Sequence, residues 1–126
     1  MKVVTKAKAL ELYTIRKTDN GRVYPKKYRF SLVNRIQDAA LDITDALLEA
    51  NDLTLDDETE RAQRFRAQRT AMRNCRKLIR LIELSHELEI IDDKVFAYWG
   101  TQAADVKNMA AAWYKSDTRR AAAKAR

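Results

Sequence analysis

The sequence predicts an all-α protein, built as an up-down antiparallel four-helix bundle. The chain has 126 residues with only two Gly and one Pro, whereas an all-β fold would need many turns. Apolar residues recur at alternating steps of three and four, which is the spacing of one helix face. The segments between the predicted helices are short, so neighbouring helices are expected to be antiparallel. We expect a single domain over residues 1–115 and a basic, flexible tail over residues 116–126.

The first two helices are predicted at residues 4–18 and 26–51. Leu12 and Ile15 are the expected core residues of the first. Turn-forming residues at 19–21 separate the two helices, and Pro25 suits a first helical turn because its missing N–H costs nothing there. The second helix has an apolar seam formed by Val33, Ile36, Ala40, Ile43, Leu47 and Ala50.

The third and fourth helices are predicted at residues 57–90 and 93–115. Thr54 or Asp56 is expected to cap the third helix, and Asp92 the fourth. Gly100 lies inside the fourth helix, where its missing side chain is expected to allow close approach of a neighbour. The third seam consists of Phe65, Gln68, Met72, Cys75, Ile79, Ile82 and His86. The fourth seam consists of Val95, Trp99, Gln102, Val106, Met109 and Trp113.

Composition indicates a basic cytoplasmic protein. The net charge is +7 and the isoelectric point is near 9.7, which favours an anionic partner. The single cysteine excludes an internal disulfide framework and fits a reducing compartment. No apolar run approaches the roughly 18 residues of a membrane span, and no signal peptide is evident near the start.

Positive charge is concentrated in the predicted third helix. Residues 61–80 contain eight Arg and Lys and no acid, although like charges at i,i+4 repel each other on a helix. Helical spacing arranges five of these residues as a stripe about 21 Å long, enough to follow several phosphates. The stripe consists of Arg66, Arg69, Arg73, Arg76 and Arg80.

Negative charge is concentrated just before this run. Residues 38–60 contain nine acids and no base. Helical spacing places five of them on the outer face of the second helix: Asp38, Asp42, Asp45, Glu49 and Asp52. The two stripes can pair within one chain or between subunits. Alternatively, the basic stripe binds nucleic acid while the acidic stripe stays solvated.

A second basic cluster surrounds the start of the second helix. It consists of Lys26, Lys27, Arg29 and Arg35, with Arg22 just before it. Three aromatic residues are interleaved with these cations, and aromatic side chains beside cations can stack on unpaired bases. We expect Phe30 to seal the end of the core, and leave the roles of Tyr24 and Tyr28 open.

The sequence contains little that indicates catalysis. His86 is the only histidine, so no histidine pair is available, and we expect it to be a satisfied or partly exposed core residue. Cys75 is expected to be an inert packed thiol. Trp99 and Trp113 are assigned to the core or a subunit interface. No zinc-binding cysteine cluster, phosphate-binding loop or catalytic signature is present. We therefore expect a protein that is not an enzyme and has no metal or other cofactor.

Two segments resemble a family of small bacterial four-helix-bundle proteins. YPKKYRFSLVNRIQDAALDITDALLEAN, residues 24–51, is similar to the family signature because it combines Pro25, Lys26, Arg29, Phe30, Arg35 and Ile36 at fixed spacing. DVKNMAAAWYKSD, residues 105–117, is similar to the end of the family's fourth helix. The resemblance covers about residues 9–117.

The family has two branches, and the resemblance implies a different function for each. One is encoded within intervening sequences of bacterial 23S ribosomal RNA genes. The other is Avd, the accessory variability determinant of diversity-generating retroelements, a basic homopentamer that binds the reverse transcriptase and assists copying of a template RNA into cDNA. Many members of the first branch have an Asn-Ile-Ala-Glu-Gly-like ending on the second helix. The matching segment here is ALLEAN, which, with the arginine-rich third helix, favours Avd.

This resemblance implies a non-catalytic oligomeric scaffold that binds a reverse transcriptase and RNA or an RNA–DNA hybrid. The arginine stripe and the second basic cluster would then hold nucleic acid through phosphate contacts. The alternatives are a protein of the intervening-sequence type and a protein-interaction scaffold that binds no nucleic acid.

Overall fold

The computed structural model describes residues 1–125, and these residues form four α-helices without a β-strand. The helices are α1 (Lys2–Thr18), α2 (Asn34–Asp52), α3 (Glu58–Glu87) and α4 (Asp93–Lys124). A short 3-10 helix (Lys26–Tyr28) and one π-helical turn (Arg29–Val33) lead into α2. The predicted all-helical fold is therefore confirmed.

The helices form an antiparallel bundle in which each helix packs against two neighbours. α2 contacts α1 and α3, and α4 contacts α3 and α1. Contacts at both ends of α3 define its direction relative to α4. Arg64 near its start bonds Asp117 near the end of α4, and His86 near its end contacts Asp93 at the start of α4.

The apolar seam predicted for α2 is confirmed. Ile36, Ala40, Ile43, Leu47 and Ala50 are buried, and Val33 packs against the core from a half-buried position. The seam predicted for α4 is confirmed in part, since Trp99 and Val106 are fully buried together with Ala103 and Ala110. Its other members are half-buried: Val95, Gln102, Met109 and Trp113. The indole Nε1 of Trp99 donates to Thr14 Oγ1 at 3.0 Å, so α1 and α4 are joined by a buried hydrogen bond.

The core faces of α1 and α3 differ from the predictions. Leu12 is 51% exposed and Ile15 is half-buried, because α1 directs Val3, Ala7 and Leu10 into the bundle instead. On α3, Gln68, Cys75 and Ile82 are buried as predicted, whereas Phe65, Met72, Ile79 and His86 are half-buried. α3 packs against both α2 and α4, so its buried surface also includes Ala67, Ala71, Leu78, Leu81 and Ser85.

The predicted end of the fourth helix at residue 115 is wrong. α4 continues to Lys124, and Asp117 in this extension has no exposed surface. The carboxylate of Asp117 accepts hydrogen bonds from α3, which explains why the helix does not end earlier. Residue 126, the last of the predicted tail, lies outside the described residues.

The helix starts follow general capping rules, with one change from prediction. The Asp92 side chain accepts from Val95 N at 2.8 Å, as expected for the cap of α4. α3 is capped by Asp57, which accepts from Glu60 N at 2.8 Å, rather than by Thr54 or Asp56. The close approach of a neighbouring helix that was predicted at Gly100 is not found within residues 1–125, since a Cβ built there would meet nothing within 4 Å.

Candidate nucleic-acid interface

The outer face of α3 is a continuous basic surface. All five predicted arginines are exposed, as is Lys77. They lie on the side of the helix opposite the buried residues Ala71, Cys75 and Leu78, because residues that are three and four apart share one face. We call the following residues the α3 basic face: Arg66, Arg69, Arg73, Arg76, Lys77 and Arg80.

Within residues 1–125, no carboxylate forms an ion pair with the α3 basic face. Arg69 donates to the Tyr114 hydroxyl at 3.3 Å, and its guanidinium lies 6.0 Å from the Tyr114 ring centre. Arg73 donates to Thr70 Oγ1 at 3.2 Å. These neutral partners orient the guanidinium groups without compensating their charge, so the face remains available to an anion.

Tyr114 is a component of this surface that sequence reasoning missed. It is half-buried on α4, and its ring meets that of Phe65 edge to face at 5.7 Å. This packing holds the hydroxyl beside Arg69. The two adjacent aromatic residues, Trp113 and Tyr114, could have indicated this contact, but helical periodicity assigned only Trp113 to a helix face.

Two arginines of the basic run serve the fold instead. Arg61 donates to Leu55 O at 2.9 Å. Arg64, whose side chain is 13% exposed, donates to Asp117 Oδ2 at 2.8 Å and to Leu53 O at 2.7 Å. Its guanidinium also lies 4.9 Å from the Trp113 ring centre. These contacts explain why the exposed stripe begins at Arg66.

The acidic stripe lies on the exposed outer face of α2, the helix beside α3. Its five members are Asp38, Asp42, Asp45, Glu49 and Asp52. α2 and α3 are joined by the short connection 53–57 and pack against each other, so the two stripes lie on adjacent antiparallel helices. Pairing of the two stripes within one chain is not found among residues 1–125. Pairing between subunits and a free basic face are the remaining explanations.

The second basic cluster lies at the end of the bundle where α1 leads into α2. Lys26, Lys27, Arg29 and Arg35 are all exposed. The Lys27 ammonium is 5.2 Å from the centre of the half-buried Tyr28 ring. Lys26 and Arg29 line a cavity of about 290 Å³, which Asp19 also lines.

The core at this end of the bundle is sealed by Tyr24, whose role the sequence left open, and not by Phe30. Tyr24 seals the core, since it is buried and its hydroxyl bonds Ser85 Oγ at 2.7 Å. Burial raises the pKa of Tyr24 to about 12, and the hydrogen bond to Ser85 opposes this shift. The prediction that Phe30 seals the core is wrong, because Phe30 is 80% exposed.

The second basic cluster lies at the end of the bundle where α3 ends. The Tyr24 hydroxyl bonds Ser85 Oγ at 2.7 Å, which brings the segment before α2 to the last turn of α3. Arg80, the last arginine of the α3 basic face, precedes Ser85 by five residues. The two predicted basic surfaces therefore approach the same end of the bundle.

The remaining reactive side chains occupy structural positions. Cys75 is fully buried, and burial raises the pKa of its thiol to about 12. His86 Nε2 lies 2.6 Å from Asp93 Oδ1, and the imidazole stacks on Phe96 at 4.3 Å. Within residues 1–125, no group of three or more His, Cys, Asp or Glu side chains could hold a metal ion.

Two further findings concern membrane spanning and similarity to known proteins. None of the helices in residues 1–125 has the length and apolar character needed to cross a bilayer. Comparisons with protein families, curated proteins and solved structures found no match. The resemblance to the Avd family therefore stays a prediction from the sequence motifs.

Proposed function

We propose that the protein is a non-catalytic accessory protein of a diversity-generating retroelement. In this role it binds the reverse transcriptase and the template RNA or cDNA through its basic surfaces, and so supports mutagenic reverse transcription. The observation that carries the nucleic-acid part is the exposed α3 basic face, which has no acidic partner within residues 1–125. The retroelement part is supported by the sequence motifs at residues 24–51 and 105–117.

Phosphate contacts explain how such a surface would work without reading sequence. A nucleic-acid strand in a duplex carries one phosphate per about 3.4 Å, so the 21 Å between Arg66 and Arg80 spans about six phosphates. Arginine guanidinium groups bind phosphate oxygens in a bidentate manner. Contacts of this kind position a template but carry no base information, which suits a protein that must hold an arbitrary template.

Oligomerisation would strengthen this surface. The resemblance implies a homopentamer, in which five copies of a chain with a net charge of +7 would be brought together. Clustered charge raises the local potential and speeds the capture of an anionic partner. Light scattering in high salt on nuclease-treated protein measures the mass directly. A monomer would remove this step of the proposal.

Charge reversal at the centre of the α3 basic face tests the nucleic-acid role. The variant Arg69→Glu/Arg73→Glu/Arg76→Glu should lose RNA binding in a fluorescence anisotropy titration while keeping its helical circular dichroism. The matched control is Lys2→Glu/Lys6→Glu/Lys8→Glu, which makes the same change in net charge on exposed positions of α1. Equal losses in both variants, or unchanged affinity in the first, would contradict a role for this face.

Capture of the reverse transcriptase tests the retroelement role separately. A tagged copy of the protein should retain a co-expressed retroelement reverse transcriptase after nuclease treatment. Loss of the enzyme on nuclease treatment would show that only RNA links the two proteins, and absence of the enzyme both before and after treatment would favour the alternative of an intervening-sequence protein.

A protein-interaction scaffold is the second candidate. It is favoured by the exposed acidic stripe of α2, whose charge complements the α3 basic face of another copy. Electrostatic complementarity of this kind sets orientation and specificity. If the two stripes only assemble subunits, the Arg69→Glu/Arg73→Glu/Arg76→Glu variant should lose mass in light scattering and the wild-type protein should not bind RNA.

A further inference from the structure

The side chain of Phe30 is not needed to close the core of the bundle. It is 80% exposed, more than any other large hydrophobic residue in residues 1–125. Tyr24 and Leu32, its neighbours in the chain, are buried in the core, and Phe30 is not part of that core. The ring projects from the π-helical turn Arg29–Val33, and single π-turns of this kind occur frequently at functional sites.

The surroundings of Phe30 are cationic. Lys26, Lys27, Arg29 and Arg35 are exposed close to it in the chain, and none of them forms an ion pair within residues 1–125. An apolar protein partner that covered the ring would have to desolvate these charges. A nucleotide offers both complementary parts, because its base has an aromatic face and its phosphate is anionic.

We propose that Phe30 is a stacking platform for an unpaired base of a single-stranded nucleic acid. The lysines and arginines of the second basic cluster hold the flanking phosphates while the base lies on the phenyl ring. This proposal rests on the proposed function, since it assumes that the basic surfaces bind nucleic acid. It adds a preference: bases in a duplex are stacked on one another and cannot reach Phe30, so the protein selects single strands or unpaired ends.

The position of Phe30 indicates where a nucleic-acid strand bound to the α3 basic face would meet the ring. Arg29 lies next to Phe30 in the chain, and the hydrogen bond between Tyr24 and Ser85 holds this segment at the end of the bundle where α3 ends. A strand that follows the α3 basic face past Arg80 would therefore approach the end of the bundle that carries Phe30. The adjoining cavity contains the carboxylate of Asp19, so the phosphates are expected on the outer cations instead of inside it.

Substitution of Phe30 by Leu and by Trp tests the platform. Leu keeps an apolar side chain without an aromatic face, whereas Trp keeps the face. Stacking of one base is worth about 1–3 kcal/mol, which corresponds to a weakening of about 5- to 140-fold. Phe30→Leu should weaken binding of a single-stranded RNA oligonucleotide by this factor. Phe30→Trp should bind the same oligonucleotide with an affinity close to that of the wild-type protein. Binding of a duplex, measured with the same variants, should not change.

An oligonucleotide of abasic sites is the matched ligand, because it keeps the phosphates and lacks the bases. Wild-type protein and Phe30→Leu should bind it with equal affinity. Leu12→Ala, which alters an exposed apolar residue on α1, should bind every ligand as the wild-type protein does. Thermal unfolding should confirm that these exposed substitutions leave the fold intact.

The outcomes separate this inference from the proposed function. If single-stranded RNA binds Phe30→Leu as tightly as wild type, the platform is wrong even where the arginine reversal abolishes binding. If wild-type protein binds no nucleic acid at all, the proposed function fails and the platform fails with it. If Phe30→Leu loses capture of the reverse transcriptase but keeps RNA affinity, Phe30 is a protein contact and the inference is overturned.

Discussion

Asp117 of α4 and Arg64 of α3 form a buried ion pair that joins the far ends of the two longest helices. Asp117 Oδ2 accepts from Arg64 Nε at 2.8 Å and from Gln68 Nε2 at 2.7 Å, and Arg120 adds a contact to Oδ1 at 3.3 Å. Asp117 is fully buried, and the Arg64 side chain is 13% exposed. A buried pair is weak evidence for net stability, but removing one partner leaves an uncompensated charge.

Replacement of Asp117 by Ala should lower the free energy of unfolding by about 3–5 kcal/mol, the usual cost of breaking a buried pair. Urea denaturation followed by circular dichroism measures this loss. Asp105→Ala removes an exposed carboxylate from the same helix and should change stability by less than about 0.5 kcal/mol. Similar effects of the two substitutions would contradict the structural role of Asp117.

Replacement of Thr14 by Val should destabilise the protein by about 1–3 kcal/mol, because the indole N–H of Trp99 would lose its partner inside the core. Val has nearly the same shape as Thr, so packing is preserved. Thr44→Val is the control, since Thr44 is also buried but its hydroxyl bonds only the local carbonyl of Ala40. Guanidinium denaturation should rank Thr14→Val as the more costly change, and the reverse order would count against the Thr14–Trp99 bond.

Replacement of Gly100 by Ala should stabilise the protein by roughly 0.5–1 kcal/mol, because Gly inside a helix is less favourable than Ala and the new methyl group meets nothing. The shift in thermal midpoint measures the effect. Gly21→Ala also adds a methyl group in open space, but in a turn, where this gain in helix propensity is absent. A loss of stability or of oligomeric mass in Gly100→Ala would reveal a neighbouring subunit against α4.

The free energy of unfolding should fall as the pH rises from about 9 to about 12. Burial raises the pKa of Cys75 from 9.0 to about 12 and that of Tyr24 from 10.0 to about 12. The folded state therefore holds protons that the unfolded state releases, and stability drops by up to about 1.4 kcal/mol per pH unit for each group. The contribution is complete below the unfolded-state pKa and is lost once the pH has passed the folded-state value.

Two variants show which buried group causes the fall in the free energy of unfolding at alkaline pH. Cys75→Ala should remove the part that begins near pH 9, and Tyr24→Phe the part that begins near pH 10. Urea denaturation at pH 7, 9, 10 and 11 provides the comparison with wild type. Identical pH profiles in all three proteins would show that neither buried group governs the transition.

The salt dependence of RNA binding should report the number of phosphate contacts. Affinity for single strands falls with log salt at a slope of about −0.7 per phosphate neutralised. Arg73→Ala should therefore reduce the magnitude of this slope by about 0.7, in titrations from low to moderate salt. Lys8→Ala on exposed α1 should leave it unchanged. Equal slopes for Arg73→Ala and wild type would place the phosphates elsewhere.

The sequence predicted much of the fold because helical spacing is a local property. The seam of α2, the cap at Asp92 and the four helices follow from residue spacing and turn chemistry, which need no knowledge of neighbours. The basic stripe was also predictable, since the side of α3 opposite an apolar seam is solvent-facing. The outer position of the acidic stripe followed by the same reasoning.

What spacing could not determine was the width and centre of each buried surface. α3 packs against two helices, so its core face includes small residues such as Ala67 and Ala71 that a single seam omits. Leu12 has the composition of a core residue, but α1 directs Val3, Ala7 and Leu10 inward instead. The choice depends on where the neighbouring helices lie, which only the packed bundle specifies.

The candidate interface shows the same division between sequence and tertiary structure. The sequence by itself determined that positive charge is concentrated on α3 and at the start of α2, because charge and helical period are properties of the chain. Tertiary contacts decided which cations are free: Asp117 lies far from Arg64 in sequence, yet pairs with it and leaves the arginines from Arg66 onward to the solvent. They also decided which aromatic ring is exposed, because the hydrogen bond to Ser85 holds Tyr24 in the core and Phe30 has no such partner.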